Sequence, residues 1–387
     1  LFSICDKNTD IGYRVMKKIV FLTGTRADFG KIKSLILALE SHTDFRPYIF
    51  VTGMHLLEQY GYTLIEIERC QFSNIHTFSN HTDEATMDLT LAKTIEGFSE
   101  YLKYVHPDLI VVHGDRVEAL AGAIVGSLNN ILVAHIEGGE VSGTVDELIR
   151  HSVSKMSHIH YVSNDLAKQR LLQMGEIEAS IKVIGSPDLD IMRSEHLPII
   201  QEVKDYYDIA FNHYAIAMFH PVTTEYDNMA TYAENFVSAL LVDDNNYVVI
   251  FPNNDLGSAL ILEAYNAFVG NPRFRVFPSI RFEYFLTLLK NAQFIIGNSS
   301  AGIREAPYYD VPTINIGTRQ ANRSALSHVI HVDYSVDAIV DGLHKKISYV
   351  SDHTPIEFGI GNSAQLFLDS VKDSVTWRIN KQKQFID

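Results

Sequence analysis

The sequence predicts an α/β fold made of two doubly wound halves that face each other across a cleft. Three observations predict it. Short β-branched or aromatic apolar runs alternate with amphipathic helical stretches, the pattern of a mostly parallel sheet covered on both faces. After a polar interval at 191–212 the alternation starts again, with no long repeat of sequence. At 387 residues the chain has room for two domains of ordinary size, each with its own core.

Residues 1–15 lack the apolar core and small-residue cleavage site of a secretory signal, and read as an extension before Met16, the expected natural start. The first half, 16–190, offers the strands KIVFLTG, RPYIFVTG, PDLIVVHG, ILVAHIEG, HIHYVS and IKVIGS. Helical periodicity falls between them at 32–40, 117–128, 146–156 and 165–174, and Thr144-x-x-Glu147 reads as a capping box opening the third of these. Residues 191–212 form the passage to the second half, 213–365, whose strands read YAIAMFH, YVVIFPN, FRVFPS, QFIIGNS, PTINIG and HVIHV. Residues 366–387 remain as a closing helical segment.

With 46% hydrophobic and 20% charged residues the composition is globular, and no apolar run reaches membrane-spanning length. A net charge of −15 argues against a nucleic-acid surface, since a polyanion is repelled except at local basic pockets. Two cysteines, Cys5 and Cys70, supply neither a disulfide framework nor a metal cluster, which suits a reducing cytoplasm. No HExxH or Cys/His cluster stands among the seventeen histidines, so neither metal nor cofactor is expected.

The chemistry concentrates at strand ends. Asp115, Glu137 and Asp146 lie where successive strands run into helices, the edge at which α/β sheets build their sites. Each alone has a structural explanation: ending a strand, preceding the Gly138-Gly139 turn, or complementing a helix dipole. Three in adjacent loops, beside Arg116, point to acid/base chemistry. In the second half, FIIGNSSAGIREAP (294–307) reads as a strand, a small-residue turn and a helix stopping near Pro307. Its free N–H groups, with Ser299 and Ser300, can hold an anion, although simple N-capping by either serine is the alternative. The motif has neither the Lys of a P-loop nor G-x-G-x-x-G. Arg26 and Arg319 each follow a strand, where a guanidinium fork fits phosphate. His220 and Asn253 stand at equivalent strand ends.

Together GTRADFGK (24–31), VTGMHL, HGDRVEALAGA (113–123), HIEGGEVSGTVDELIRHSVSK (135–155), IGSPDLD, FHPVTTE, FPNND, GNSSAGIREAP and GTRQ resemble the hydrolysing UDP-N-acetylglucosamine 2-epimerases of bacterial sialic acid synthesis. They also resemble the epimerase half of the bifunctional animal enzyme, without its kinase-like second half. The resemblance runs in order from about Lys17 to near the C-terminus. It implies a Rossmann-like, glycosyltransferase-B-type fold with UDP held chiefly by the second domain, chemistry on the cleft-facing loops of the first, and a C-terminal helix crossing back to the first domain. By the same resemblance Asp115, Glu137 and Asp146 match the catalytic carboxylates and His220 the histidine near the diphosphate. Arg26, Arg116, Asn253, Ser299, Ser300, Glu305 and Arg319 match positions lining the nucleotide site, Glu305 as an acceptor from ribose hydroxyls. Relatives of the non-hydrolysing branch carry Pro-Glu after the first Thr-Arg. This chain has Ala27-Asp28, which favours the hydrolysing branch.

The implied partners are a UDP-sugar and UDP, with no nucleic acid or membrane, and a dimer or tetramer as in relatives. The implied reaction turns UDP-N-acetylglucosamine and water into N-acetylmannosamine and UDP through 2-acetamidoglucal. UDP-N,N′-diacetylbacillosamine is the alternative substrate, because the sugar's C4 substituent is not legible in these motifs. A glycosyltransferase of the same fold and a non-catalytic nucleotide-sugar sensor are the rival classes; the acidic triad weighs against the sensor, and the first needs an acceptor site.

Overall fold

Strand β1 (Lys17–Thr23) shows why the chain layers as it does: Ile19, Val20, Phe21 and Leu22 are all buried, so both faces of the strand are covered. The computed structural model describes residues 16–82, 86–142, 145–195, 197–320, 329–345 and 358–384. The extension 1–15, and with it Cys5, lies outside the described residues, as does Thr144 of the expected capping box. That box's other member, Glu147, accepts a hydrogen bond from the Ser142 backbone N–H at 2.9 Å.

From β1 the chain runs through α1 (Arg26–Glu40), β2 (Phe45–Val51), α2 (Leu64–Glu68), β3 (Ile75–Thr77), α3 (Met87–Val105), β4 (Leu109–His113), α4 (Val117–Leu128) and β5 (Leu132–Ile136). It continues through α5 (Val145–Met156), β6 (Ile159–Val162), α6 (Asp165–Gln173), β7 (Ile181–Val183) and α7 (Asp188–Met192). These strands form one parallel sheet in the order β3-β2-β1-β4-β5-β6-β7. The described passage is not a bare linker. It contains α8 (Ile200–Tyr207), whose Val203 is fully buried.

The second half follows as β8 (Ala215–Met218), α9 (Met229–Val242), β9 (Tyr247–Ile250), α10 (Ser258–Tyr265), β10 (Phe274–Phe277), α11 (Phe282–Lys290), β11 (Ile295–Gly297), α12 (Glu305–Tyr308), β12 (Thr313–Ile316), β13 (Val329–Val332) and α13 (Val336–His344). Its sheet is parallel too, ordered β10-β9-β8-β11-β12-β13. The last helix, α14 (Ser363–Lys372), packs on α1 and belongs to the first half's core: Phe367 is fully buried between Phe21 and Tyr161, with ring centroids 6.2 and 5.0 Å away. Asp190 fixes its start by accepting from the N–H groups of Ser363 and Ala364 at 2.9 and 2.7 Å.

Three departures from the sequence reading have physical causes. Strand β3 was not expected, because an edge strand of three residues with two exposed needs no apolar run. Helix α1 starts six residues before the periodic stretch at 32–40. Thr25 and Asp28 form a capping box there, a signal the apolar periodicity does not carry. The helix expected to stop near Pro307 is broken into a 3-10 turn (Ser300–Gly302) and the four-residue α12, which runs one residue past the proline. No long helix therefore starts at Ser299-Ser300, where the sequence suggested an anion site.

Candidate active site

Strand order reverses between β1 and β4 in the first sheet and between β8 and β11 in the second. At such points the loops leaving neighbouring strands diverge and open a crevice. Arg26 follows β1, Asp115 and Arg116 follow β4, His220 follows β8, and Ser299 and Ser300 follow β11. All six line one cavity of about 230 Å³ walled by both halves, together with Glu137, Asp146, Asn253 and Arg319. Of the eleven residues singled out in the sequence only Glu305 is missing from that wall. The structure does not bring the expected ribose acceptor to the wall: the Glu305 carboxyl is buried and lies 3.8 Å from Lys31. Burial pushes its pKa up against the pull of Lys31.

The three carboxylates sit in different environments. Glu137, at the end of β5, has almost no exposure and lies within ion-pair distance of Arg304 and, at 3.5 Å, of Lys31; Ser186 Oγ donates to it and His113 Nε2 is 3.0 Å away. Burial opposes its charge, but Arg304, Lys31 and His113 prevail and hold its pKa well below the usual carboxylate range. Its backbone is equally constrained: φ is +62°, a conformation a β-carbon disfavours, and its carbonyl accepts from Arg150 Nη1 at 2.7 Å. Asp115 pairs with the other Arg150 nitrogen, and its side chain keeps 23% of its exposure. Asp146, in the first turn of α5, keeps 19% and reaches across the cleft to Arg319 Nη2 at 3.5 Å. Asp115 and Asp146 are thus the more exposed carboxylates of the cavity wall, while Glu137 lines it almost wholly buried and paired with His113.

The second half arranges donors. Asn298 grips the backbone of His220 from both sides, its Oδ1 accepting from the N–H at 2.6 Å and its Nδ2 donating to the carbonyl at 2.8 Å. The Asn253 N–H donates to His220 Nδ1 at 3.0 Å, which leaves the ring proton on Nε2. Burial, with Arg319 and Arg116 nearby, holds the imidazole pKa well below its ordinary value, so it is an uncharged N–H donor at neutral pH. The Asn253 side chain donates to Asp255, and Ser299 Oγ accepts from Ala301 N–H at 3.3 Å, the structural capping that the sequence allowed.

Arginines join the halves. Arg26 donates to Ser279, and burial pulls its pKa down to about 10 against the attraction of Tyr207, Glu66 and Glu283. Arg116 donates to Asn254 at 2.9 Å and lies 3.4 Å from Asp255. Arg304 reaches back to Glu140 at 2.6 Å and to Glu137. Among the described residues no group of His, Cys, Asp and Glu side chains is arranged to hold a metal ion, and no helix is long and apolar enough to cross a membrane.

A sequence profile of the family described as UDP-N-acetylglucosamine 2-epimerase matches residues 37–372. The chain belongs to the UDP-N-acetylglucosamine 2-epimerase family. Among the members of that family, the chain is 48% identical over 375 residues to a UDP-N-acetylglucosamine 2-epimerase of Neisseria meningitidis serogroup B, covering 96% of this chain and 99% of that protein. It is 34% identical over 342 residues to the UDP-N,N′-diacetylbacillosamine 2-epimerase (hydrolyzing) of Legionella pneumophila, covering 86% and 90%. A crystal structure of a Neisseria meningitidis UDP-GlcNAc 2-epimerase bound to UDP-GlcNAc superimposes with a TM-score of 0.76 at 18% identity, over 92% of this chain and 99% of that one, a likeness of fold. The two facing parallel sheets are thus the glycosyltransferase-B-like architecture of the epimerase family.

Sequence reasoning passed over the residues that set the charge of this epimerase-family site. His113 ends β4 directly before Gly114-Asp115, a position that could have marked it. Lys31, Arg150, Ser186, Asp188 and Arg304 carry no such signal, because they come from helices and turns far apart in sequence and meet only in the fold. Lys31 pairs with Asp188 at 2.6 Å, so the cluster around Glu137 balances opposite charges out of water.

Proposed function

We propose that the chain is a hydrolysing UDP-N-acetylglucosamine 2-epimerase, converting UDP-N-acetylglucosamine and water to N-acetylmannosamine and UDP in sialic acid synthesis. The observation that carries the reading is the division of one cavity: cavity-facing Asp115 and Asp146 with the His113–Glu137 pair on the first half, and His220, Ser299, Ser300 and Arg319 on the second. The first set suits proton transfer at a sugar ring, and the second suits a diphosphate. UDP is on this reading gripped chiefly by the second half. The hydrolysing branch draws support from Ala27-Asp28 and from the Legionella relative whose name carries that word.

In the first half-reaction a base takes the C2 proton, its electron pair forms the C1–C2 double bond, and the C1–O bond breaks to release UDP and 2-acetamidoglucal. In the second, water oxygen adds at C1 while a proton is delivered to the opposite face of C2. Asp115 and Asp146 are assigned to the two proton transfers at C2. Glu137 is assigned to His113: the ionised carboxylate orients the imidazole and stabilises positive charge on it when it takes the water's proton, the relation a carboxylate has to histidine in hydrolytic triads. His220 Nε2–H and Arg319 stabilise the charge arriving on the departing diphosphate.

Proton and phosphorus NMR of one reaction in heavy water tests the whole scheme. The expected products are free UDP and N-acetylmannosamine labelled with deuterium at C2. UDP-N-acetylmannosamine as the lasting product would mean the non-hydrolysing reaction, and free N-acetylglucosamine with an unlabelled C2 would reject epimerisation. The Legionella relative supports a second substrate, UDP-N,N′-diacetylbacillosamine. The greater identity to the Neisseria protein favours UDP-N-acetylglucosamine, and the larger kcat/KM of the two in parallel assays decides.

A further inference from the structure

Beside the reaction cavity lies a second one, of about 430 Å³, within the range of small-molecule sites. The two share Tyr60, Asp115, Arg116 and Asp146, so the side chains assigned to proton transfer form the wall between them. Away from that wall the second chamber is lined by Glu118 and Asp255, by polar groups such as Asn80, His81, Thr90 and Ser258, and by apolar side chains such as Leu57, Met87 and Leu262 against which a sugar ring can lie, with no Lys among its described lining. Its one arginine, Arg116, already donates to Asn254 at 2.9 Å and lies within 3.5 Å of both Asp255 and Glu118. A phosphate or a nucleotide entering here would meet four carboxylates against one engaged guanidinium, and like charges so juxtaposed are costly. An uncharged ligand rich in hydroxyls meets acceptors instead.

Resting on the proposed reaction, we infer that this chamber is a sugar subsite that receives the neutral N-acylhexosamine product and lets it leave before UDP. The diphosphate groups, Arg319, His220, Ser299 and Ser300, line only the reaction cavity. The chamber opens at the other end, where the sugar carbons meet Asp115 and Asp146. Once the C1–O bond has broken, the sugar is no longer tethered to UDP. Its path into the chamber runs past residues that accept from hydroxyls, while UDP stays bridged between the halves.

Ala259, exposed in the first turn of α10, lines the chamber and not the reaction cavity. Ala259→Trp fills the space from one wall and Thr90→Trp from the other. Saturation-transfer NMR should detect N-acetylmannosamine on the UDP-saturated parent and on neither variant. Both variants should lose about ten-fold in kcat, as expected when product departure is obstructed, with calorimetric UDP affinity unchanged at one equivalent per chain. Parent-like kcat and an undiminished sugar signal in both variants would overturn the inference. So would a second UDP equivalent in the parent that Ala259→Trp removes, since the chamber would then be a nucleotide site. A parent that releases no UDP from UDP-N-acetylglucosamine defeats the reaction itself; turnover with no sugar bound to the UDP complex defeats the subsite alone.

Discussion

Replacing Glu137 by glutamine keeps the volume of the side chain and removes only its charge. Arg304 loses one partner but keeps Glu140 at 2.6 Å, and Lys31 keeps Asp188 at 2.6 Å, so neither cation is stranded. Breaking a buried ion pair costs about 3–5 kcal/mol when the remaining charge has nothing else; with these second partners in place the cost should be about 1–3 kcal/mol. The catalytic loss should be larger in proportion. Without a negative charge 3.0 Å from His113 Nε2, the imidazole has no counter-charge when it takes a proton, and kcat should fall by about 10² to 10⁴-fold. The pH dependence separates the two effects. Because the folded-state pKa of Glu137 lies well below the ordinary 4.5, its charge stabilises the fold above that pH and the contribution is lost as pH falls further. Urea unfolding from pH 7 to pH 3 should therefore show a shallower acid decline in Glu137→Gln than in the parent, while UDP binding at pH 7 is retained. A kcat within about three-fold of the parent, with an unchanged circular dichroism spectrum, would refute the role assigned to the His113–Glu137 pair.

Arg319→Ala should weaken UDP by about 10- to 100-fold in calorimetry, the loss of one charge-assisted contact; undiminished affinity would move the diphosphate elsewhere. Glu176 lies far from the cavity and gathers Lys155, His160 and Lys383 at 2.8, 2.9 and 2.6 Å, which together bring its pKa down to about 2 despite burial. The stability it supplies is present above pH 4.5 and is lost between there and pH 2, so Glu176→Gln should flatten that stretch of the acid unfolding curve and leave kcat unchanged. Trp377, the single tryptophan, sits in the same C-terminal segment as Lys383 and reports the change by fluorescence. Gly297→Ala should fail to accumulate as folded protein, because its φ is +133° and a β-carbon there would stand 1.9 Å from the Met218 carbonyl oxygen; a soluble variant with parent-like unfolding would contradict that geometry.

The fold was more legible than the site. Strands such as β1 and β4 are continuous apolar runs because both faces are buried, and such runs announce themselves; β3, at an exposed edge, does not. Of the site, the residues at strand ends were readable because parallel topology sends every strand's C-terminal end to one edge. What position alone did not carry was orientation. Glu305 stands in the same short segment as Ser299 and Ser300, yet the broken helix turns its carboxyl inward toward Lys31, while its neighbour Arg304 reaches the cavity. One residue of register decides this, and composition does not contain it. Arg150 was legible only as part of a helical pattern; its two hydrogen bonds, to Asp115 and to the Glu137 carbonyl, exist because β4 and β5 are neighbours.

The two halves repeat one winding plan with opposite electrostatic purpose. The loops of the first half bring Asp115, Glu137 and Asp146 to the cavity, with Arg26 and Arg116 among them; those of the second bring a neutral histidine, serines and Arg319, which would do little for a proton at carbon. On the proposed function a nucleotide sugar would match both, with its sugar toward Asp115 and its phosphates toward His220. Arg319 would link the two chemistries, because the guanidinium that lines the cavity beside His220 also lies 3.5 Å from Asp146. A diphosphate drawing on that guanidinium would compete with Asp146 for it, so the cross-cleft contact would couple nucleotide binding to the carboxylate beside the sugar. On this account Arg319→Ala and Asp146→Asn are not independent. A double-mutant cycle on kcat/KM should show the pair losing clearly less than the product of the single losses, and strictly multiplicative losses would mean that the cross-cleft contact plays no part in turnover.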